Sequence, residues 1–83
     1  MSAIDFSRLR SLTARRLVAA LERDGFVLSR QSGSQRHCGH ANGRRVTLTF
    51  HHASDTFRFK TLRSMIEVQA QWQWEDLVWL QLV

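Results

Sequence analysis

The residues that could carry chemistry are concentrated between positions 30 and 63, which hold all four histidines and seven of the twelve basic residues. Imidazole can accept and donate protons near neutral pH, and guanidinium groups can offset the charge of a phosphate. His37 and His51 fall on polar positions of predicted strands, where their rings would be exposed. His40 and His52 have the opposite parity, which favours packing or capping. These residue types are suited to proton transfer and anion binding, but they also occur at exposed strand positions without a chemical role, and both interpretations are open.

The basic residues are unevenly distributed along the chain. Residues 1–63 hold all 12 Lys and Arg against four acids, a net charge of +8, whereas residues 64–83 hold three acids and no base. A basic body indicates a polyanionic partner, most often nucleic acid, although a merely solvated surface has the same composition. Charge alone leaves both interpretations open.

The length and composition are typical of one globular domain, with 83 residues of which 43% are apolar and 23% charged. No apolar run approaches the roughly 18 residues of a membrane span, and the N-terminus lacks the apolar stretch of a signal peptide. The single cysteine, Cys38, cannot form an internal disulfide and fits a reducing cytoplasm. It alternates with apolar residues, so it is not expected to be a nucleophile. The scattered histidines have no zinc spacing, and neither a metal nor a cofactor is predicted.

The chain begins with an extension over residues 1–12, which the sequence does not assign to a helix or to an arm. A first helix is predicted over residues 13–24, with Thr13 as its N-cap. Gly25 suits the left-handed position that ends a helix, and Phe26 can then fold back on Leu21. Residues 13–83 are predicted to form a single domain.

Three strands are predicted, over residues 26–31, 34–40 and 45–51. Three-residue loops ending in glycine, at 31–33 and 41–43, would set Cys38 opposite Phe26 on one side and opposite Val46 on the other. That pairing sends Gln35 outward on the other face of the sheet, between Ser29 and Thr49. In the same pairing, His37 and His51 flank Gln35.

A second helix is predicted over residues 61–71, and a short tail helix over 74–82 that is rich in tryptophan and leucine. The order αβββα, plus the tail helix, predicts an α+β fold in which a three-stranded antiparallel sheet carries two helices on one face, as in double-stranded-RNA-binding domains. The tail either completes the core around the second helix or forms an exposed patch for a second copy of the chain or another protein. Both interpretations are open.

Three stretches together resemble a known family: LVAALERDGFVLSRQSGS, HANGRRVTLTFHH and KTLRSMIEVQA. Their motifs stand in order, with DGF after the first helix, a GS pair at the first hairpin, GRRVT in the third strand and TLRS at the start of the second helix. In this combination the chain resembles the HicA mRNA-interferase toxins over about residues 16–71. The resemblance implies a fold like that of double-stranded-RNA-binding domains, metal-independent cleavage of mRNA, and a HicB-like antitoxin as partner.

The resemblance also directs attention to Gln35. In the family, the histidine after the GS pair is held to be catalytic, and Gln35 stands at that position here. A carboxamide cannot transfer protons as imidazole does. Either another histidine acts instead, His37 first and His51 next, or the histidine was exchanged to disarm the toxin, or this is a natural non-catalytic copy that still binds RNA or an antitoxin. All three interpretations are open.

Contacts to RNA are predicted from basic residues near this face, at a hairpin end and at the start of the second helix, where the helix N-terminus adds attraction for phosphate. The residues are Arg30, Arg36, Arg44, Arg45, Lys60 and Arg63.

Overall fold

The computed structural model describes residues 4–83, and the first three residues of the predicted extension lie outside this range. Its elements follow the predicted order of helix, three antiparallel strands and further helices, which confirms the α+β fold. They are a 3₁₀ turn (Phe6–Leu9), helix α1 (Ala14–Asp24), strands β1 (Val27–Ser32), β2 (Gln35–Gly39) and β3 (Arg45–Thr49), helix α2 (Phe59–Arg63) continuing as a π-helix (Ser64–Gln69), and helix α3 (Trp74–Trp79).

Helix α1 begins and ends as its sequence predicts. The Thr13 hydroxyl accepts the backbone N–H of Arg16 at 3.3 Å. Gly25 adopts a φ of 108°, which allows the N–H of Phe26 to donate a hydrogen bond to the carbonyl of Leu21 at 2.9 Å. Helix α1 is therefore bounded by local hydrogen bonds at both ends.

The sheet has the strand order β1-β2-β3, and the structure confirms only one of the two predicted strand registers. Between β2 and β3 the pairing is as predicted, with Cys38 opposite Val46 and Gln35 opposite Thr49. Between β1 and β2 the prediction was wrong, because Cys38 lies opposite Leu28 and Gln35 opposite Ser32. The hairpin turns through two residues, 33–34, and the register shifts between positions 28 and 30, so that Ser29 is left over as a β-bulge.

The core lies between the sheet and the helices. Val46 and Leu48 of β3 meet the apolar stripe of α1 and the buried side of the π-helix, where Ile66 is fully buried. The described segments before α1 and after the π-helix also enter the core, since Phe6 and Leu9 of the 3₁₀ turn pack in the same cluster as Leu77. Within residues 4–83, these outer segments, 4–12 and 74–83, contribute the buried residues Phe6, Leu9, Leu12, Leu77, Leu80 and Leu82.

The tail divides its apolar residues between the core and the surface. Trp72 is 3% exposed, and its indole N–H donates to the Asp24 carboxylate at 2.9 Å. Leu77 is fully buried, whereas Val78 and Trp79 remain half exposed. The tail therefore completes the core and still presents an apolar pair to solvent.

The second helix begins at Phe59, two residues before the predicted start, and widens into a π-helix after Arg63. The wide turn brings the side chain of Gln69 to the outer edge of β3. There its Oε1 accepts a hydrogen bond from the backbone N–H of Thr47 at 2.8 Å. The amide of Gln69 donates in turn to the Ser64 hydroxyl at 3.1 Å.

Within residues 4–83, every helix falls short of the length and apolar character needed to cross a membrane.

Candidate functional site

The face of the sheet turned away from the helices, called here the open face, is organised in three cross-strand rows. Residues that lie directly opposite in an antiparallel pair share a face, so the two registers define these rows. The rows are Ser32–Gln35–Thr49, Arg30–His37–Thr47 and Val27–Gly39–Arg45.

The β-bulge at Ser29 decides which residues of β1 reach the open face. Without the extra residue, Leu28 and Arg30 would share a face, because side chains alternate along a strand. With it, Leu28 pairs with Cys38 and Arg30 pairs with His37. The bulge thus places Arg30 on the same face of the sheet as His37. The Ser29 hydroxyl stabilises the bulge by donating a hydrogen bond to the His37 carbonyl at 3.0 Å.

Gln35 occupies the row nearest the β1–β2 turn, and its side chain is exposed. Its carboxamide has no hydrogen-bond partner among residues 4–83. The amide can therefore receive hydrogen bonds from a ligand or donate them to one.

His37 is the histidine that the sheet presents beside Gln35. Its ring is half-buried, and Nδ1 lies 3.2 Å from the Thr47 hydroxyl. Nε2 has no hydrogen-bond partner in the described part of the chain. One nitrogen is therefore held by the protein, and the other is available for proton transfer.

His51 does not join this group, which corrects the predicted strand. Strand β3 ends at Thr49, and His51 lies in the exposed turn that follows. The backbone N–H groups of His51 and His52 both donate to the Asp55 carboxylate at 3.0 Å. These bonds, that from His52 foremost, lower the pKa of Asp55. Because β3 ends before His51, this histidine is not a neighbour of Gln35 in the sheet.

His40 packs, as its strand parity predicts. Its Nδ1 accepts the backbone N–H of Asn42 at 3.1 Å, so Nε2 must carry the proton that is donated to the Asp24 carbonyl at 2.8 Å. The ring also meets Phe26 edge-on, with centroids 5.1 Å apart. This arrangement closes the C-terminal end of α1 and leaves no free nitrogen for chemistry.

The six predicted basic contacts fall into different environments. Arg30 and Arg45 are exposed on the open face, and neither has a hydrogen-bond or ion-pair partner among residues 4–83. Lys60 is exposed on α2, away from the open face, and Arg63 pairs with Glu67 along the same helix at 2.9 Å.

Arg36 and Arg44 are engaged within the protein. Arg36 lies opposite Leu48, on the helix side of the sheet, with its guanidinium 4.1 Å from the centre of the Phe50 ring. Arg44 forms an ion pair with Asp24 at 3.0 Å and donates to the carbonyl of Ala70 at 2.6 Å. Arg44 also lines the concavity described next, but its guanidinium is already paired with Asp24.

A concavity of about 700 Å³ lies at the end of the open face remote from the Gly33 turn. In the described part of the chain, its lining comes from the three strands and the β2–β3 hairpin, with no helix residue and no acidic residue. Arg30, His37 and Arg45 are among the residues that surround it. Sequence reasoning missed this feature, although Gly39 within a strand is a signal for the close approach of a ligand.

Two further observations concern the Cys38 thiol as a nucleophile and the binding of a metal ion. Burial raises the pKa of the Cys38 thiol, and the nearby charge of Glu22 adds to the effect. A protonated thiol is a poor nucleophile. Across residues 4–83, no three His, Cys, Asp or Glu side chains are grouped closely enough to hold a metal ion.

The family model described as "HicA toxin of bacterial toxin-antitoxin" matches residues 14–72, most of the chain. The protein belongs to the HicA toxin family. The predicted resemblance is thereby confirmed, and the open face is the surface of a toxin from a toxin–antitoxin pair. A search of curated proteins finds no match to this HicA chain. The family match ends before α3 and begins after the 3₁₀ turn, so both outer segments of the core lie beyond it.

Proposed function

We propose that this HicA-family protein is a metal-independent mRNA interferase that binds RNA on the open face and is neutralised by a HicB-like antitoxin in the cytoplasm. The observation that carries the proposal is the cross-strand row Arg30–His37–Thr47 beside the exposed Gln35. It combines a proton-transfer group and an unpaired cation on a surface with no acidic residue in its rows.

The chemistry requires a base that removes the proton of a ribose 2′-hydroxyl. The resulting oxygen attacks the adjacent phosphorus, the bond from phosphorus to the 5′-oxygen breaks, and that oxygen takes up a proton. His37 is assigned the proton transfer through Nε2, because Nδ1 is held near the Thr47 hydroxyl. Arg30 and Arg45 offset the negative charge that grows on the phosphoryl oxygens. Gln35 orients the RNA by hydrogen bonds, since its amide cannot transfer the proton.

A second function is favoured by one specific feature, the carboxamide at position 35. If His37 does not replace the family histidine, the protein is a binding domain that holds RNA or an antitoxin without cleaving. General acid–base catalysis contributes typically 10²–10⁴-fold, so its loss would leave little cleavage.

Expression of four versions separates these functions: the chain as given, His37→Ala, Gln35→His, and His52→Ala as a matched control. Growth arrest and cleavage of RNA by the purified proteins are measured together, and circular dichroism checks that each variant is folded. The proposal expects arrest and cleavage with the chain as given and with His52→Ala, and loss of both with His37→Ala. His52 is exposed and lies off the sheet, so its ring should not contribute.

Arrest with Gln35→His alone would establish the non-cleaving function for the chain as given. Absence of arrest and of cleavage in all four folded proteins would overturn the interferase assignment.

A further inference from the structure

We infer that the concavity beside Gly39 is a phosphate subsite that holds a phosphodiester group of the bound RNA. This inference rests on the proposed function for its ligand, but it concerns binding and does not require cleavage. It locates the main anion-binding position of the open face about four residues along β2 from Gln35.

The shape of the concavity comes from the absence of a side chain at Gly39. A Cβ placed there would meet no atom within 4 Å, so the space above the backbone is open. The volume of about 700 Å³ lies in the range of roughly 300–1,000 Å³ that is usual for ligand sites. The Gly39 row therefore offers a ligand direct access to the sheet.

The charge around this space selects an anion. Arg30 and Arg45 stand on either side of β2, in adjacent rows, and both line the concavity. Neither guanidinium is neutralised by an acid among residues 4–83, in contrast to Arg44, which is paired with Asp24. Guanidinium groups bind phosphate oxygens through two parallel hydrogen bonds, which makes a phosphate the best-fitting anion.

The polar neighbours suit a phosphodiester of RNA. His37 and Thr47 line the same space, and Nε2 of His37 has no partner among the described residues. The rows containing Gln35 and Gly39 lie four residues apart on β2, a separation of about 13 Å at 3.3–3.4 Å per residue. A nucleic acid that contacts both rows must extend along β2 over more than one nucleotide. An RNA chain meets this requirement, whereas a free phosphate or a mononucleotide does not.

The test measures binding of a short 2′-O-methyl RNA, which cannot be cleaved because its 2′-oxygen is blocked. Fluorescence anisotropy over a range of salt concentrations is measured for the chain as given, Arg45→Ala, Gly39→Glu and Gly39→Gln. Arg15→Ala is the matched control, because Arg15 is an exposed arginine on α1, on the opposite side of the sheet. Thermal melting checks that each protein is folded.

Arg45→Ala should weaken binding about tenfold, because the guanidinium forms charge-assisted hydrogen bonds to phosphate that alanine cannot form. It should also reduce the slope of log affinity against log salt by about one. Gly39→Glu should weaken binding by at least as much, and Gly39→Gln by less, because only the glutamate repels phosphate. Arg15→Ala should stay within about twofold of the parent, because the control position contacts no RNA.

Equal affinity of Arg45→Ala and the parent, or equal loss with Arg15→Ala, would overturn the assignment. So would failure of the parent to bind RNA at low salt, or binding of inorganic phosphate and adenosine monophosphate with the affinity of the RNA. If the expected pattern holds while the parent causes no growth arrest, the subsite stands and the cleavage proposal fails.

Discussion

Replacing Arg44 by alanine should destabilise the protein, whereas the same change at the neighbouring Arg45 should leave its stability unchanged. The two residues are adjacent and were predicted to serve the same purpose. The structure separates them, because Arg44 is enclosed by Asp24 and the Ala70 carbonyl and Arg45 is exposed on the open face.

The size of the effect follows from the contacts of the Arg44 guanidinium. It lies 3.0 Å from the Asp24 carboxylate, with side chains only 16% and 13% exposed, and 2.6 Å from the Ala70 carbonyl. Removing one member of a buried ion pair costs about 3–5 kcal/mol, and partial exposure lowers this to an expected ~2–3 kcal/mol. For a domain of this size that loss lowers the melting temperature by roughly 10–20 °C. The total stability of such a domain is only about 4–12 kcal/mol, so the change is a large fraction of it.

The assay is urea unfolding followed by circular dichroism, on the parent, Arg44→Ala, Arg45→Ala, Asp24→Asn and the double variant of Arg44 and Asp24. The double variant should be less destabilised than the sum of its two single changes, because both single changes break the same ion pair. Equal stability of Arg44→Ala and Arg45→Ala would refute the reasoning. Strict additivity of the two changes would refute the claimed coupling of Arg44 with Asp24.

Three further predictions concern the tail, the turn after β3 and the thiol. Leu77→Ala should cost about 2–5 kcal/mol in urea unfolding, because a fully buried side chain leaves a cavity, whereas Val78→Ala should stay within about 0.5 kcal/mol; equal effects would contradict the burial of the tail. Asp55→Ala should lower the melting temperature at neutral pH, because the N–H of His52 foremost holds the pKa of Asp55 below its ordinary value. This contribution is complete above the unfolded pKa and is lost as the pH falls through the folded one, so a difference that persisted in strong acid would contradict it. Cys38 should react with a thiol reagent at pH 7 more slowly in the folded than in the urea-unfolded protein, because burial raises the pKa of its thiol, and equal rates would contradict this.

The register between β2 and β3 could be predicted from the sequence because two independent signals agree. Cys38 and Val46 belong to one apolar alternation, and Gly43 takes the left-handed conformation that the hairpin loop requires, at a φ of 96°. Likewise, Thr13 and Gly25 are local signals, and the hydrogen bonds that they predict lie within a few residues of them.

The register between β1 and β2 could not be predicted because the bulge residue carries no distinguishing type. Ser29 is an ordinary strand residue in the sequence, and only pairing with β2 reveals it as the extra one. The role of Arg44 was missed for a similar reason. Its partner Asp24 is 20 positions away, and no local pattern connects them. The sequence thus predicted that Gln35 and His37 share one face of the sheet, but it did not predict the row in which Arg30 lies or the ion pair of Arg44.

The hydrogen bond of Gln69 to β3 makes the two edges of the sheet unequal. Because its side chain takes the central outward N–H of β3, a new strand cannot form a regular ladder on that side. Among residues 4–83, strand β1 pairs only with β2, and the residues of β1 are exposed throughout. Any intermolecular extension of this sheet must therefore start at β1, next to the bulge that orients Arg30. A molecule that lengthened the sheet there would also narrow the approach to the phosphate subsite.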